Sequence, residues 1–138
     1  MTPSVRELVQ QYYALIDTLE PEQLRQACAL MTEDVELTFA NAEPVTGRDA
    51  AAASIQFVLD RCTGIKHTVT SLLETPQADG SIDVAFEIRI RYDLKTGRVL
   101  EIPGSVFGTI REVDTAYGVQ PLFTVQRLYG DLGEVFAD

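Results

Sequence analysis

The sequence predicts an α+β fold: three N-terminal helices packed in a strongly curved, mixed or antiparallel sheet. Three observations predict it. Apolar residues recur at helical spacing in three segments before Gly64. After Gly64 the period drops from 3.6 to two. Residues 82–94 then alternate without a break. Helices followed by a run of strands is the α+β order.

Residues 3–17 read as the first helix. Ser4 and Glu7 have capping-box spacing, and Pro3 also suits a first helical position after Thr2. Val5, Leu8, Val9, Tyr12, Leu15 and Ile16 form its apolar stripe. Pro21 opens a second helix reaching about Met31, with Leu24, Ala27, Cys28 and Met31 inward. Glu33-Asp34 reads as a turn, Val35–Phe39 as a short strand, and Asn41–Gly47 as a loop. The Ala-rich stretch Arg48–Arg61 reads as a third helix, ended by Gly64.

Ile65–Thr75 reads as a strand, and Asp79-Gly80 as a hairpin turn. In Ile82–Leu94, Val84, Phe86, Ile88, Ile90 and Tyr92 point one way, and Asp83, Glu87, Arg89, Arg91 and Asp93 the other. Arg98–Val113 is a long strand, bent or bulged near Pro103-Gly104. Tyr117–Tyr129 is the last strand, and Gly130–Asp138 a polar tail with Leu132, Val135 and Phe136. A sheet bent this strongly curls around its helices and leaves a cone with an apolar interior. Its outer face also carries large apolar side chains, so a homodimer through the convex face is expected.

The 138 residues fit one domain, 1–138. With 46% hydrophobic and 23% charged residues, the chain has the mixture of an ordered domain. Twenty-one acidic against 11 basic residues give a net charge of −10, which counts against nucleic-acid and anionic-membrane partners. No run approaches the ~18 apolar residues of a membrane span. Met1-Thr2-Pro3-Ser4 leads straight into an amphipathic pattern without a signal peptide's basic and apolar regions, so a cytoplasmic location is expected. Cys28 and Cys62 read as two buried free thiols. One histidine and two distant cysteines offer no zinc cluster, and no Walker or GxGxxG pattern is present. Neither metal nor cofactor is expected.

Several segments, in this order and spacing, resemble the NTF2-like superfamily and its SnoaL-like proteins. They are residues 8–17 (LVQQYYALID), Met31-Thr32-Glu33-Asp34-Val35-Glu36-Leu37, Thr46-Gly47-Arg48-Asp49-Ala50, Ile65-Lys66-His67-Thr68-Val69 and Arg127-Leu128-Tyr129-Gly130-Asp131-Leu132. The resemblance spans about residues 5–136. It implies a cone-shaped fold that hosts dehydratases, isomerases, cyclases, epoxide hydrolases and non-catalytic binding modules, so function must be argued from the site.

Two constellations are candidates for chemistry. The first is Tyr12, Asp17 and His67. An imidazole held by a carboxylate can take a proton, and a phenol can polarise a carbonyl. Dehydratases of the superfamily resembling scytalone dehydratase use Tyr, Asp and His in similar places. Five residues apart on a helix, however, leaves Tyr12 and Asp17 about 140° apart around the axis. The second is Asn41, Arg91 and Asp93. Phe39-Ala40-Asn41 resembles the Tyr-x-Asn of limonene epoxide hydrolase, and Arg91-Tyr92-Asp93 its Arg-x-Asp. Phe39 stands where the tyrosine should be, and Leu128 where the second aspartate should be. Arg91 and Asp93 read equally as a salt bridge on a solvated face. Of the ketosteroid isomerase residues only the tyrosine, Tyr12, is retained, which argues against that reaction.

Phe39, Asn41, Phe57, Phe107 and Tyr129 are candidates for holding the ligand, although Phe57 and Phe107 also suit core or interface. The expected ligand is a small hydrophobic molecule of polyketide, terpenoid or steroid type. The expected chemistry is cofactor-free acid–base catalysis; the rival is a non-catalytic ligand-binding or dimerisation module.

Overall fold

The computed structural model describes residues 3–137. The alternative helix start after Thr2, and Asp138 of the tail, lie outside it. Helix α1 spans Val5–Ile16. The Ser4 hydroxyl accepts from the Glu7 N–H, and the Glu7 carboxylate accepts from the Ser4 N–H, so the capping box forms as the spacing predicts. Helix α2 (Pro21–Cys28) starts on proline, which has no N–H to leave unpaired. Helix α3 (Arg48–Leu59) follows Gly47, whose φ of 94° opens it from a left-handed residue. Arg48 forks onto the Met31 carbonyl through Nε (2.9 Å) and a terminal nitrogen (2.7 Å), pinning α3 to the sheet.

Six strands form one sheet: β1 (Met31–Phe39), β2 (Val45–Thr46), β3 (Cys62–Pro76), β4 (Ile82–Leu94), β5 (Val99–Thr115) and β6 (Gly118–Gly130), in the order β2-β1-β6-β5-β4-β3. All neighbours are antiparallel except β1 and β6, which run parallel. The sheet curves around the helices and the two layers share one apolar core, as expected. The alternation in β4 is borne out: Val84, Phe86, Ile88, Ile90 and Tyr92 are buried on the concave side. Cys28 and Cys62 are buried free thiols. Among the described residues no helix is long and apolar enough to cross a membrane.

Four local expectations change. The second helix stops at Cys28, and Met31 already pairs with Phe123 in β6; Glu33 and Asp34 fall inside β1, where its register to β6 shifts between Met31 and Glu36. Gly64 does not cap α3, which ends at Leu59. It sits in β3, where a Cβ would meet Asp93 Oδ2 at 2.8 Å. Pro103-Gly104 keeps its register with β4, and the irregularity opposite β5 is in β6, where Thr124 is left over between the partners of Thr109 and Ile110. Pro103 lies beyond the last pair with β6, Gly104 and Gly130. The tail is no plain polar segment: Gly133–Phe136 forms a short helix, α4, and Val135 is fully buried.

Candidate functional site

The antiparallel ladder puts directly opposed residues on one face of the sheet. His67 of β3 opposes Ile90 of β4, and Ile65 opposes Tyr92, so His67 joins the concave row. Gln126 of β6 lies between Leu37 of β1 and Gly108 of β5. Gly108 contributes no side chain there.

These rows and α1 enclose a cavity of about 50 Å³. Its wall is mostly aliphatic, from Leu37, Ile55, Leu59, Ile88 and others. Five side chains bring polar atoms to it: Tyr12, Tyr13, His67, Tyr92 and Gln126. A second hollow of about 610 Å³ lies outside, lined by Asn41, Phe57 and Phe136 among others. Phe39, Val58 and Leu132 line both spaces and stand between them. Phe136 of α4 stacks on Phe57 with centroids 5.2 Å apart, and the Arg61 guanidinium lies 5.5 Å from the Phe136 ring.

The first predicted constellation assembles in part. Asp17 caps the C-terminus of α1, the wrong pole of a helix for a carboxylate. What holds it there is His67. Asp17 Oδ1 lies 2.6 Å from His67 Nδ1, and Oδ2 accepts the His67 backbone N–H at 2.9 Å. The two side chains are 12% and 9% exposed, so the pair is little screened by water. With Nδ1 held by a carboxylate, the neutral ring carries its proton on Nδ1 and offers Nε2 as the free base. Tyr13, not Tyr12, stacks on the imidazole, with centroids 4.4 Å apart. Tyr13 precedes Asp17 by one helical turn and so shares its face. Tyr12 turns deeper, edge-on to Tyr13 and against Phe123.

The phenols are held protonated. Burial pushes Tyr12 well above the ordinary phenol value; Tyr13 and Cys28 add to this, and Gln126 pulls it back. Burial raises Tyr13 and Tyr92 as well, helped by the charge of Asp17 for Tyr13 and by Cys62 for Tyr92. Each can therefore act as a hydrogen-bond donor to a ligand oxygen.

The second constellation does not come together. Arg91 and Asp93 lie on the opposite face of β4 from Tyr92. They pair with each other at 3.2 Å, with half-exposed side chains, as a solvated salt bridge does. Asn41 is exposed at the outer hollow, just past Ala40, whose φ of 49° turns the chain. Phe39 does border the cavity. Phe57 is exposed and lines only the outer hollow. Phe107 and Tyr129 lie outside the cone, edge-on with centroids 6.0 Å apart, because Val106 and Leu128 take the inward positions.

Tyr13, Tyr92 and Gln126 were not among the expected site residues. The turn-length spacing to Asp17 points to Tyr13, and alternation in β4 points to Tyr92. Alternation in β6 points to Gln126 with Leu128, since Arg127 and Tyr129 face out. Among the described residues no group of three or more His, Cys, Asp or Glu side chains could hold a metal ion.

No curated protein matches the chain. Solved structures do. A candidate scytalone dehydratase from Novosphingobium aromaticivorans superposes with a TM-score of 0.76 at 22% identity, over 91% of this chain and 80% of that one. A candidate dehydratase of the NTF2-like family from Streptomyces avermitilis gives 0.71 at 13% identity, over 91% of each chain. A candidate calcium/calmodulin-dependent protein kinase II association domain from Xanthomonas campestris gives 0.75 at 15%, over 91% of this chain and 84% of that one. At such identities the likeness is one of fold. The model of the SnoaL-like domain matches residues 9–114. The chain thus belongs to the SnoaL-like domain family, with the NTF2-like fold.

Proposed function

We propose that this one-domain protein binds a small hydrophobic molecule in the cavity and its outer hollow, and moves a proton on it without a cofactor. The reaction favoured is loss of water beside a carbonyl group. The observation that carries this reading is the Asp17–His67 pair at the edge of an apolar cavity. His67 Nε2 takes the proton from the carbon next to the carbonyl. The electron pair forms the enolate, then the new C=C bond, as the C–O bond to the hydroxyl breaks. The imidazolium returns its proton to the departing oxygen, so water leaves and His67 is restored. Asp17 positions the ring and balances its charge in between. Tyr12 and Tyr13, kept protonated, polarise the oxygen. The dehydratase names of two similar structures support the reading. Exposed Leu73, Phe107 and Tyr129 on the outer face support a homodimer.

One observation favours the non-catalytic reading, because a substrate's body and its reacting carbon do not fit together beside His67. The inner cavity, about 50 Å³, is far below the ~300–1,000 Å³ of a ligand pocket. The test is exchange of the α-protons of 2-tetralone in D₂O, followed by proton NMR. Catalysis predicts exchange faster than in buffer, falling by about 10²-fold or more in His67→Ala. Binding without exchange would establish the carrier role. Exchange that survives His67→Ala would overturn the role given to His67.

A further inference from the structure

The Gln126 carboxamide is the least comfortable polar group in the interior. The residue is 3% exposed; its Nε2 makes no hydrogen bond of good geometry among the described residues, although the carboxamide lies near enough to the Tyr12 oxygen to draw its pKa down. A buried amide nitrogen left unpaired is destabilising. The sheet has no architectural use for it: Leu37 and Gly108, its neighbours in the row, offer no acceptor side chain. It nevertheless lines the cavity, beside the Tyr12 hydroxyl.

We propose that Gln126 is the anchor for a carbonyl oxygen of the ligand, with the Tyr12 hydroxyl as the second donor to the same atom. This rests on the pocket reading above and names the part of the molecule that enters first. The size of the inner cavity fits that role. About 50 Å³ holds a few water-sized groups, enough for a carbonyl and the carbon beside it. A ring system does not fit there, and the outer hollow, with Phe57 and Phe136 on its wall, takes it. The ligand is therefore a ketone or aldehyde whose apolar body stays behind Phe39, Val58 and Leu132. Two donors on one oxygen also stabilise the charge that grows there when the neighbouring carbon loses its proton.

The experiment compares two probes that differ in one atom position: 2-acetylnaphthalene and 2-isopropenylnaphthalene, titrated calorimetrically into wild type, Gln126→Leu and Gln126→Met. Wild type is expected to favour the ketone by about tenfold. Both variants are expected to lose most of that preference, with the Tyr12 hydroxyl the one donor left on the oxygen. Without ligand, both variants are expected to melt about 3–5 °C higher, because an unpaired amide has been removed. Equal binding of both probes by wild type, or a preference undiminished in the variants, would overturn the anchor while leaving the pocket standing. Variants that melt lower or fail to fold would show the carboxamide to be structural and also overturn it. Binding of neither probe by wild type would remove the pocket reading and this one together.

Discussion

Residue 67 occupies both oxygens of Asp17: its ring nitrogen Nδ1 takes Oδ1 at 2.6 Å and its backbone N–H takes Oδ2 at 2.9 Å. The carboxylate is thereby fixed in rotation as well as position, and the ring inherits that order.

Asp17→Asn should separate position from charge. The amide keeps one oxygen for the backbone N–H and must turn its NH₂ toward the ring. Nδ1 then becomes an acceptor and the proton moves to Nε2, where the base is needed. The α-proton exchange rate is expected to fall about 10²-fold or more, while the melting temperature moves little. Nitrogen-15 NMR of the imidazole reports the tautomer directly. An unchanged tautomer with an unchanged rate would remove Asp17 from the mechanism.

Stability should fall in alkali. Burial raises Tyr12, Tyr13 and Tyr92 above the ordinary phenol value of 10.0. The fold favours their protonated form, so this contribution is whole below that value and is lost as pH rises past it toward the folded values. Melting curves taken from about pH 8 to 11 should be level at first and then descend. Tyr92→Phe should make the descent shallower, and a level profile throughout would contradict the assignment.

Two glycines should respond differently to alanine. At Gly108 a Cβ would stand 2.7 Å from the Val125 carbonyl oxygen, a backbone atom that cannot turn away. At Gly64 it would stand 2.8 Å from the carboxylate end of Asp93, which can. Urea denaturation should show Gly108→Ala losing about 2–3 kcal/mol and Gly64→Ala less than about 1 kcal/mol. The reverse order would show that the Gly108 strand yields more readily than its pairing implies.

The outer face is expected to hold a second copy. Leu73 is 69% exposed, and Phe107 and Tyr129 meet edge-on nearby. Sedimentation should give a dimer for the wild type and a monomer for Phe107→Glu, with the melting transition still cooperative. A wild-type monomer at micromolar concentration would oppose a convex-face dimer.

The fold was largely legible because the sequence changes period where the architecture changes. The stripe of α1 and the alternation of β4 each follow one geometry over many residues. What stayed hidden depends on contacts between distant segments. Gly64 looks like a helix stop until Asp93 is seen beside it. Glu33-Asp34 looks like a turn because acidic pairs favour turns, yet both lie within β1, in the irregular stretch between its pairs with β6 at Met31 and Glu36. In the site, His67 and Asp17 were legible as residue types with a plausible partner. Tyr13, one helical turn before Asp17, is the ring that stacks on His67, a relation that helical spacing carries. For Arg91 and Asp93 the alternation of β4 already carried the solvated-face reading, and the pair forms that salt bridge. Gln126 was missed because a neutral amide in a strand carries no chemical signal until it is found without a partner.

The parallel pairing of β1 with β6 brings Leu37 beside Gln126, from opposite ends of the chain. The pocket therefore cannot close until β6 has emerged from the ribosome, well after β1. Closing so large a loop is slow compared with forming the local hairpins β3–β4 and β4–β5. A newly made copy should pass through a stage with the hairpins zipped and β1 unmatched, acquiring its ligand only when that final seam shuts.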